Sequence, residues 1–275
     1  MKKILITGAN SYIGTSFEKY IKEKYPNDYV VDTVDMIDGS WREKSFADYD
    51  SVFHVAGIAH QKETKENAPL YYKVNRDLAV ATAEKAKRDG VKQFVFLSSM
   101  SVYGMDTGVI TKDTLPNPKS NYGKSKLQAE EGIVALADES FKVCVIRPPM
   151  VYGDGCKGNY QTIVKIVEKF PIFPRVNNQR SMIHIDNLVR FVCMAIERAL
   201  SGVLFPQNAQ YANTLHLASE IAQAKGKRLY FSYLCGLGVI LFRPCVPMLR
   251  KAFGDLVYLD TEDFDFCYCK TEQPE

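Results

Sequence analysis

The sequence predicts an α/β protein: a doubly wound parallel sheet that carries a small C-terminal lobe. Three observations predict it. Short runs rich in Val, Ile and Phe alternate with helical patterns from the start of the chain to about Pro148. Such alternation means parallel strands joined by crossover helices that cover both faces of the sheet. A glycine-flanked turn, "GANSYIG", joins the first run to the first helical pattern. Beyond Pro148 the pattern turns irregular, and Gly153, Gly155, Gly158, Pro171 and Pro174 mark loops. The boundary therefore falls near residue 150, with a sheet domain over 1–150 and a lobe over 151–275 that is interleaved with it.

"KILIT" reads as the first strand and leads into an amphipathic helix from Tyr12 to about Lys24. "DYVVDTVD" and "DSVFHVAG" are the next strands. Only about fifteen residues separate Asp35 from the latter, which leaves little room for another strand between them. A long helix from about Pro69 to Arg88 ends at Gly90, and "KQFVFLSS" follows as a strand. A helix from about Tyr122 to Ala137 then precedes "FKVCVIRPP". The lobe holds one clear helix, about Tyr160 to Lys169. The longest apolar stretch, "LYFSYLCGLGVILF" at 229–242, is shorter than the roughly 20 residues that span a membrane. It reads as a strand end followed by a packed helix. The other reading is a membrane-surface helix, helped by Arg243, Arg250 and Lys251.

The 275 residues, 46% of them hydrophobic, suffice for one large core or a core with a smaller appendage. Thirty-five basic residues against 32 acidic ones leave a net charge of +3, with no basic stripe to serve nucleic acid. The seven cysteines are irregularly spaced, and several sit in apolar runs such as "KVCVI", where Cys acts as a small hydrophobe. This points to a reduced, cytoplasmic protein. The apolar run after "MKK" is short and broken by Gly8, so no secretory leader is expected. Cys267 and Cys269 lack a second ligand pair at suitable spacing, so no metal is expected.

A strand, a glycine turn and a helix start are the context of a dinucleotide-binding loop. Gly8 permits the tight turn, and Gly14 lets helix and strand pack closely. The middle position holds Ser11 in place of glycine. Its side chain is small, its hydroxyl can donate to a phosphate, and the helix N-terminus behind it favours an anion. About 20 residues on, an acid should receive the adenosine ribose hydroxyls. Asp35 fits best, with Asp32 and Asp38 as alternatives. No arginine stands immediately beside it for a 2′-phosphate, which favours NAD over NADP.

Tyr122 and Lys126 in "YGKSK" share one helix face at i, i+4. An ammonium near a phenol favours the phenolate, giving a base for a sugar hydroxyl. Upstream, "FLSSMSVYG" ends a strand with Ser98, Ser99 and Ser101, hydroxyls able to meet the same substrate oxygen.

In order, "TGANSYIG", "FHVAG", "FLSSMSVYG", "YGKSK", "RPPMVYGDG" and "RSMIHIDNL" resemble the extended short-chain dehydrogenase/reductases. Within them the chain is similar to the NAD-dependent nucleotide-sugar epimerase/dehydratase branch, the UDP-galactose 4-epimerase-like proteins. The resemblance covers about residues 1 to 200. It implies a Rossmann fold and bound NAD. It makes Tyr122 the catalytic acid and base, Lys126 its activator and a nicotinamide-ribose contact, and Ser99 the catalytic serine. Gly8, Ser11, Tyr12, Ile13 and Gly14 would form the pyrophosphate loop and Asp35 the ribose clamp. Ala56, Gly57, Asn75 and Pro148 would line the rest of the cofactor. Asn159 and Arg180 match positions that contact the substrate diphosphate, and a guanidinium suits two phosphate oxygens. His60 lies where it could reach the same diphosphate. His184 reads as structural. The resemblance also implies a homodimer through the helices around Ala79 and Gln128.

The implied activity is reversible hydride transfer at C4 of a UDP-hexose or UDP-N-acetylhexosamine, as in a 4-epimerase. "RPPMVYGDGCKGN" with "RSMIHIDNL" also resembles bacterial polysaccharide 4-keto-sugar reductases, so a UDP-4-keto-6-deoxy-sugar 4-reductase is the alternative. A non-catalytic dinucleotide-sensing module is a third reading, opposed by the intact Tyr122 and Lys126. A nucleic-acid-binding member of the fold is opposed by the charge.

Overall fold

The structure, a computed structural model, describes residues 1–59 and 61–259. His60 and the Cys267–Cys269 pair lie outside the described residues, and Asn159 is described by its backbone only. The main sheet has six parallel strands. In spatial order they are β10 (Gly202–Leu204), β6 (Lys142–Ile146), β4 (Gln93–Leu97), β3 (Ser51–His54), β1 (Lys2–Thr7) and β2 (Tyr29–Val34). The short Asp35-to-Ser51 connection carries only a 3₁₀ turn, Ser40–Arg42, and β2 stays at the sheet edge. That is the outcome expected of so few residues.

Successive strand residues point to opposite faces, and both faces are apolar. On one, Ile4, Ile6, Phe53, Val95 and Ile146 meet Phe17 and Ile21 of helix α1 (Tyr12–Lys24). Leu188 and Val192 of α6 (Ile185–Glu197) join them. On the other, Leu5, Val52, Phe94, Phe96 and Val145 meet Ala79 and Ala83 of α3 (Leu78–Arg88) and Ala129 and Ile133 of α4 (Asn121–Val134). Each large side chain buried here contributes about 1.5–3 kcal/mol. Cys144 and Cys193 are fully packed in the first layer, as small hydrophobes.

The long helix expected from Pro69 to Arg88 is one helical run of three parts. A short α2 (Ala68–Tyr71) passes through a π-helical stretch, Tyr72–Asp77, into α3. The π geometry, absent from any periodicity argument, falls at Asn75. Such insertions are frequent at functional sites.

The lobe has its own apolar cluster. Ile163 and Val167 of α5 (Asn159–Lys169), Phe173 of β8 (Ile172–Pro174) and Leu217 and Ile221 of α7 (Thr214–Ala224) form its centre. From the lobe the chain returns through α6 and β10 to complete the main sheet. Residues 229–242 become β11 (Tyr230–Ser232) and α8 (Tyr233–Phe242). A strand end followed by a helix is what the sequence predicts, but the helix is not packed. Only Gly236 and Val239 of α8 are buried, while Leu234, Leu237, Leu241 and Phe242 face outward. Hydropathy reports what a segment prefers, and here no second layer covers it. Helix α9 (Pro247–Phe253) and β12 (Leu256–Tyr258) follow, and β12 pairs β5 (Gly108–Ile110). Among the described residues no helix is long and apolar enough to cross a membrane.

Candidate active site

The loop after β1 has the form its glycines predict. Gly8 has φ +119°, a conformation open to glycine. A Cβ there would stand 2.7 Å from the backbone nitrogen of Ala56, so the loop and the end of β3 are in contact. A Cβ on Gly14 would press Val55 at 3.1 Å and Ile6 at 3.2 Å, the close helix–strand packing anticipated. Ser11 caps α1: its Oγ accepts from the Gly14 N–H at 3.2 Å. The hydroxyl proton remains available for a phosphate oxygen. The first turn of α1 carries no acid to cancel its positive end. Tyr12 and Ile13 begin that helix, and the Tyr12 hydroxyl is buried without a hydrogen-bond partner among the described residues. Burial pushes its pKa up to about 12.

Asp35 is exposed just past β2, and the Gly8 and Ala9 N–H groups both donate to the carbonyl of Val34. The acid is thus joined directly to the loop. Its Oδ1 accepts from the Ile37 N–H at 2.8 Å, while the two rivals accept from side chains, Asp32 from the Tyr49 hydroxyl at 2.8 Å and Asp38 from the Ser40 hydroxyl at 2.7 Å.

At the far end of the loop, exposed Gly57 opens onto two groups. A Cβ on Gly57 would lie 2.9 Å from Asn75 Oδ1 and 3.5 Å from Lys126 Nζ. Asn75 is fully buried and holds this turn, accepting from Ile58 N at 2.8 Å and donating to Ile58 O at 3.1 Å and Ser125 Oγ at 3.2 Å. The bare glycine cradle, the free helix end, the orphaned hydroxyl and the exposed acid together fit a dinucleotide.

Ser99 caps the 3₁₀ turn Met100–Tyr103, and its Oγ lies 3.1 Å from that of Ser101. Ser98, one residue earlier, is buried and committed to Glu130, so the two serines have different partners. Helix α4 comes close because Gly123 has no side chain: a Cβ would lie 2.6 Å from the Ser101 carbonyl. Tyr122, half-buried on α4, is near enough to the Ser99 hydroxyl for it to favour the phenolate. Pro148 is buried beside this turn, and its carbonyl accepts from Met100 N at 2.9 Å.

The phenol corrects one expectation. Its pKa is raised, with burial as the main cause, the Ser99 hydroxyl opposing and Tyr71 adding to the rise. The sequence reading expects Lys126 to lower it. Lys126 is itself buried, its Nζ drawn onto the Leu97 carbonyl at 2.8 Å and over the Phe96 ring at 4.6 Å. Desolvation lowers the lysine's own pKa to about 8. A phenol kept protonated is set to donate, and a weakly held ammonium proton sits next to it on the helix.

Two supports escape sequence reasoning. Glu63 accepts from the backbone N–H groups of Asn121 at 2.9 Å and Tyr122 at 3.0 Å, fixing the start of α4 under the tyrosine. Glu130, one turn after Lys126, takes both Nε (3.1 Å) and Nη2 (2.5 Å) of Arg147, whose Nη1 donates to Tyr103 at 2.9 Å. The partners are 58 and 17 residues apart, and only the Glu130 spacing from Lys126 is a local signal.

In the lobe, Arg180 is half-buried and donates to the Gly254 carbonyl at 2.7 Å. Burial lowers its pKa, against the pull of Asp106 and Asp255. Asn159 opens α5. His184 caps α6 and accepts from Asp186 N at 3.3 Å, a structural use.

A glycine loop on a parallel sheet beside a Ser–Tyr–Lys cluster defines a dinucleotide-dependent enzyme of the short-chain dehydrogenase/reductase class. The sequence pattern of the NAD dependent epimerase/dehydratase family matches residues 4–205, and the chain belongs to that family. It is an enzyme, and its cofactor is NAD. It is 34% identical to a UDP-glucose 4-epimerase of Vibrio cholerae, over 92% of this chain and 83% of that one. It is 25% identical to a UDP-2-acetamido-2,6-beta-L-arabino-hexul-4-ose reductase of Pseudomonas aeruginosa, over 96% and 74%. The crystal structure of a UDP-glucuronic acid 4-epimerase from Bacillus cereus with NAD superposes with a TM-score of 0.68. That match covers 84% of this chain and 87% of that one, at 22% identity, and shows the same fold. These relatives are epimerases and reductases of nucleotide sugars.

Proposed function

We propose that the protein is a UDP-sugar 4-epimerase acting on a UDP-hexose or UDP-N-acetylhexosamine. The observation that carries this reading is the close packing of α4 on the Ser99 turn, with Gly123 against the Ser101 carbonyl, together with the Gly57 cradle that Lys126 and Asn75 border. NAD bound along Gly8, Ser11–Gly14, Asp35, Ala56, Gly57 and Pro148 supplies the hydride acceptor and donor for sugar C4. Tyr122 takes the proton of the C4 hydroxyl and returns it, with Ser99 hydrogen-bonded to the same oxygen. Lys126 lies one turn below Tyr122 and borders the Gly57 cradle, where its Nζ would meet the bound cofactor. Asn75 keeps the Gly57 turn open. The lobe binds the nucleotide, and Arg180 would contact the diphosphate, a role that the family resemblance also gives to Asn159 and allows for His60.

The test is turnover of UDP-glucose and UDP-N-acetylglucosamine, read as the C4 epimer by NMR. Tyr122→Phe should lose roughly 10²–10⁴-fold in turnover and keep its NAD affinity. Near-normal turnover of that variant would end the assignment. A second reading rests on the Pseudomonas relative: a 4-keto-sugar reductase. It predicts stoichiometric NADH consumption with a 4-keto substrate and no epimer.

A further inference from the structure

Helix α8 and the segment after it present large apolar side chains to the surface. Tyr233, Leu234, Leu241, Phe242 and Met248 are 62–83% exposed. Tyr230, at 63%, borders them on β11. Single exposed hydrophobics are ordinary, but a helix that buries only Gly236 and Val239 and turns its large apolar side chains outward marks a binding surface. The helix is not loose. Gly236 sits so close to β8 that a Cβ would lie 2.2 Å from the Arg175 carbonyl. Its N-terminus is capped by Ser232, which accepts from Cys235 N at 3.2 Å.

The stretch that holds it is mostly basic. Residues 220–255 carry Lys225, Lys227, Arg228, Arg243, Arg250 and Lys251 against Glu220 and Asp255. Some of this charge is engaged: Lys225 pairs with Glu168 at 2.9 Å, Arg250 (3.4 Å) and Lys251 (3.9 Å) share the single carboxylate of Asp106, Lys227 donates to the Val167 carbonyl at 2.6 Å and Arg243 to that of Phe253 at 3.4 Å. Arg175 lies over the Tyr233 ring at 4.5 Å and adds a further cation at the rim.

We propose that α8 and α9 form a docking surface for an anionic phospholipid membrane, on which the protein lies without spanning it. Apolar side chains enter the acyl boundary, tyrosines stand at its edge and basic residues meet the headgroups. At ten residues α8 is too short to cross, as docking requires. A second copy is the poorer occupant. A two-fold contact would set the same basic rim against itself with no acid of these helices to answer it. The surface is also coupled to the lobe, because Arg180 is hydrogen-bonded to Gly254, the residue that ends α9.

Co-sedimentation of the full chain with vesicles tests this. One set is phosphatidylcholine alone, the other an equal mixture of phosphatidylcholine and phosphatidylglycerol. Binding should be roughly tenfold or more tighter to the anionic set and should weaken with salt. Leu234→Glu with Leu241→Glu should abolish it while leaving the melting temperature and the turnover of soluble nucleotide sugar unchanged. Met248→Glu serves as a second, independent variant. Absence of binding to the anionic vesicles overturns the proposal. So does a dimer in lipid-free sedimentation that the double substitution dissociates, which would assign the face to a second copy.

Discussion

Lys126 is 5% exposed, and burial brings its pKa from 10.5 down to about 8. At about 1.4 kcal/mol per pH unit, keeping the ammonium charged inside the cofactor-free fold costs about 3 kcal/mol. Lys126→Met removes that cost and fills similar volume. It also removes the hydrogen bond to Leu97, worth about 1 kcal/mol. The variant should therefore be more stable at pH 7 by about 2 kcal/mol, or roughly 4–8 °C in Tm, while losing turnover. The direction with pH follows from proton counts. Between pH 8 and 10.5 the unfolded lysine holds a proton that the folded one has released, so wild-type stability rises with pH across that window. The advantage of the methionine variant is full below pH 8 and gone near pH 10.5. The assay is thermal unfolding of both cofactor-free proteins at pH 7 and pH 10. A methionine variant less stable at pH 7, or a difference that does not change with pH, would refute the reasoning.

Further outcomes bear on the other parts of the site. Asp35→Ser should bring NADPH affinity close to that of NADH, read by titration of both; tighter NADPH binding to the wild type would remove Asp35 from the ribose. Arg180→Ala should weaken UDP binding by tenfold or more in calorimetry and leave NAD binding intact, since a charge-assisted contact is worth about 1.5–3 kcal/mol. Glu130→Ala leaves Arg147 buried and unpaired, which should cost about 3–5 kcal/mol in denaturant unfolding. A loss below 1 kcal/mol would mean that the network carries little.

Much of the sheet was legible because its signals are local. Strand hydrophobicity and the run from β1 through Gly8 and Gly14 to α1 need no distant partner. Tyr122 and Lys126 lie on one helix, so their spacing alone sets them one turn apart. What that spacing does not give is direction. The lysine turns to the Leu97 carbonyl, from a strand 29 residues earlier in the chain, and the phenol's pKa goes up. The π-helical stretch at Asn75 was equally invisible, since its buried amide is held by Ile58 and Ser125 from two other segments.

Read alone, the chain gave away the α/β class, the dinucleotide loop, the lack of room for a further strand after Asp35 and the residues available for proton transfer. Those are properties of neighbours along the chain and of periodicity. Folding was needed to show that β2 stays at the sheet edge, that Glu63 caps the helix bearing Tyr122, that Glu130 belongs to Arg147, and that β10 completes the sheet after the lobe. It alone left α8 bare, for hydropathy states how strongly a segment avoids water, and only the packing of distant segments states whether anything covers it.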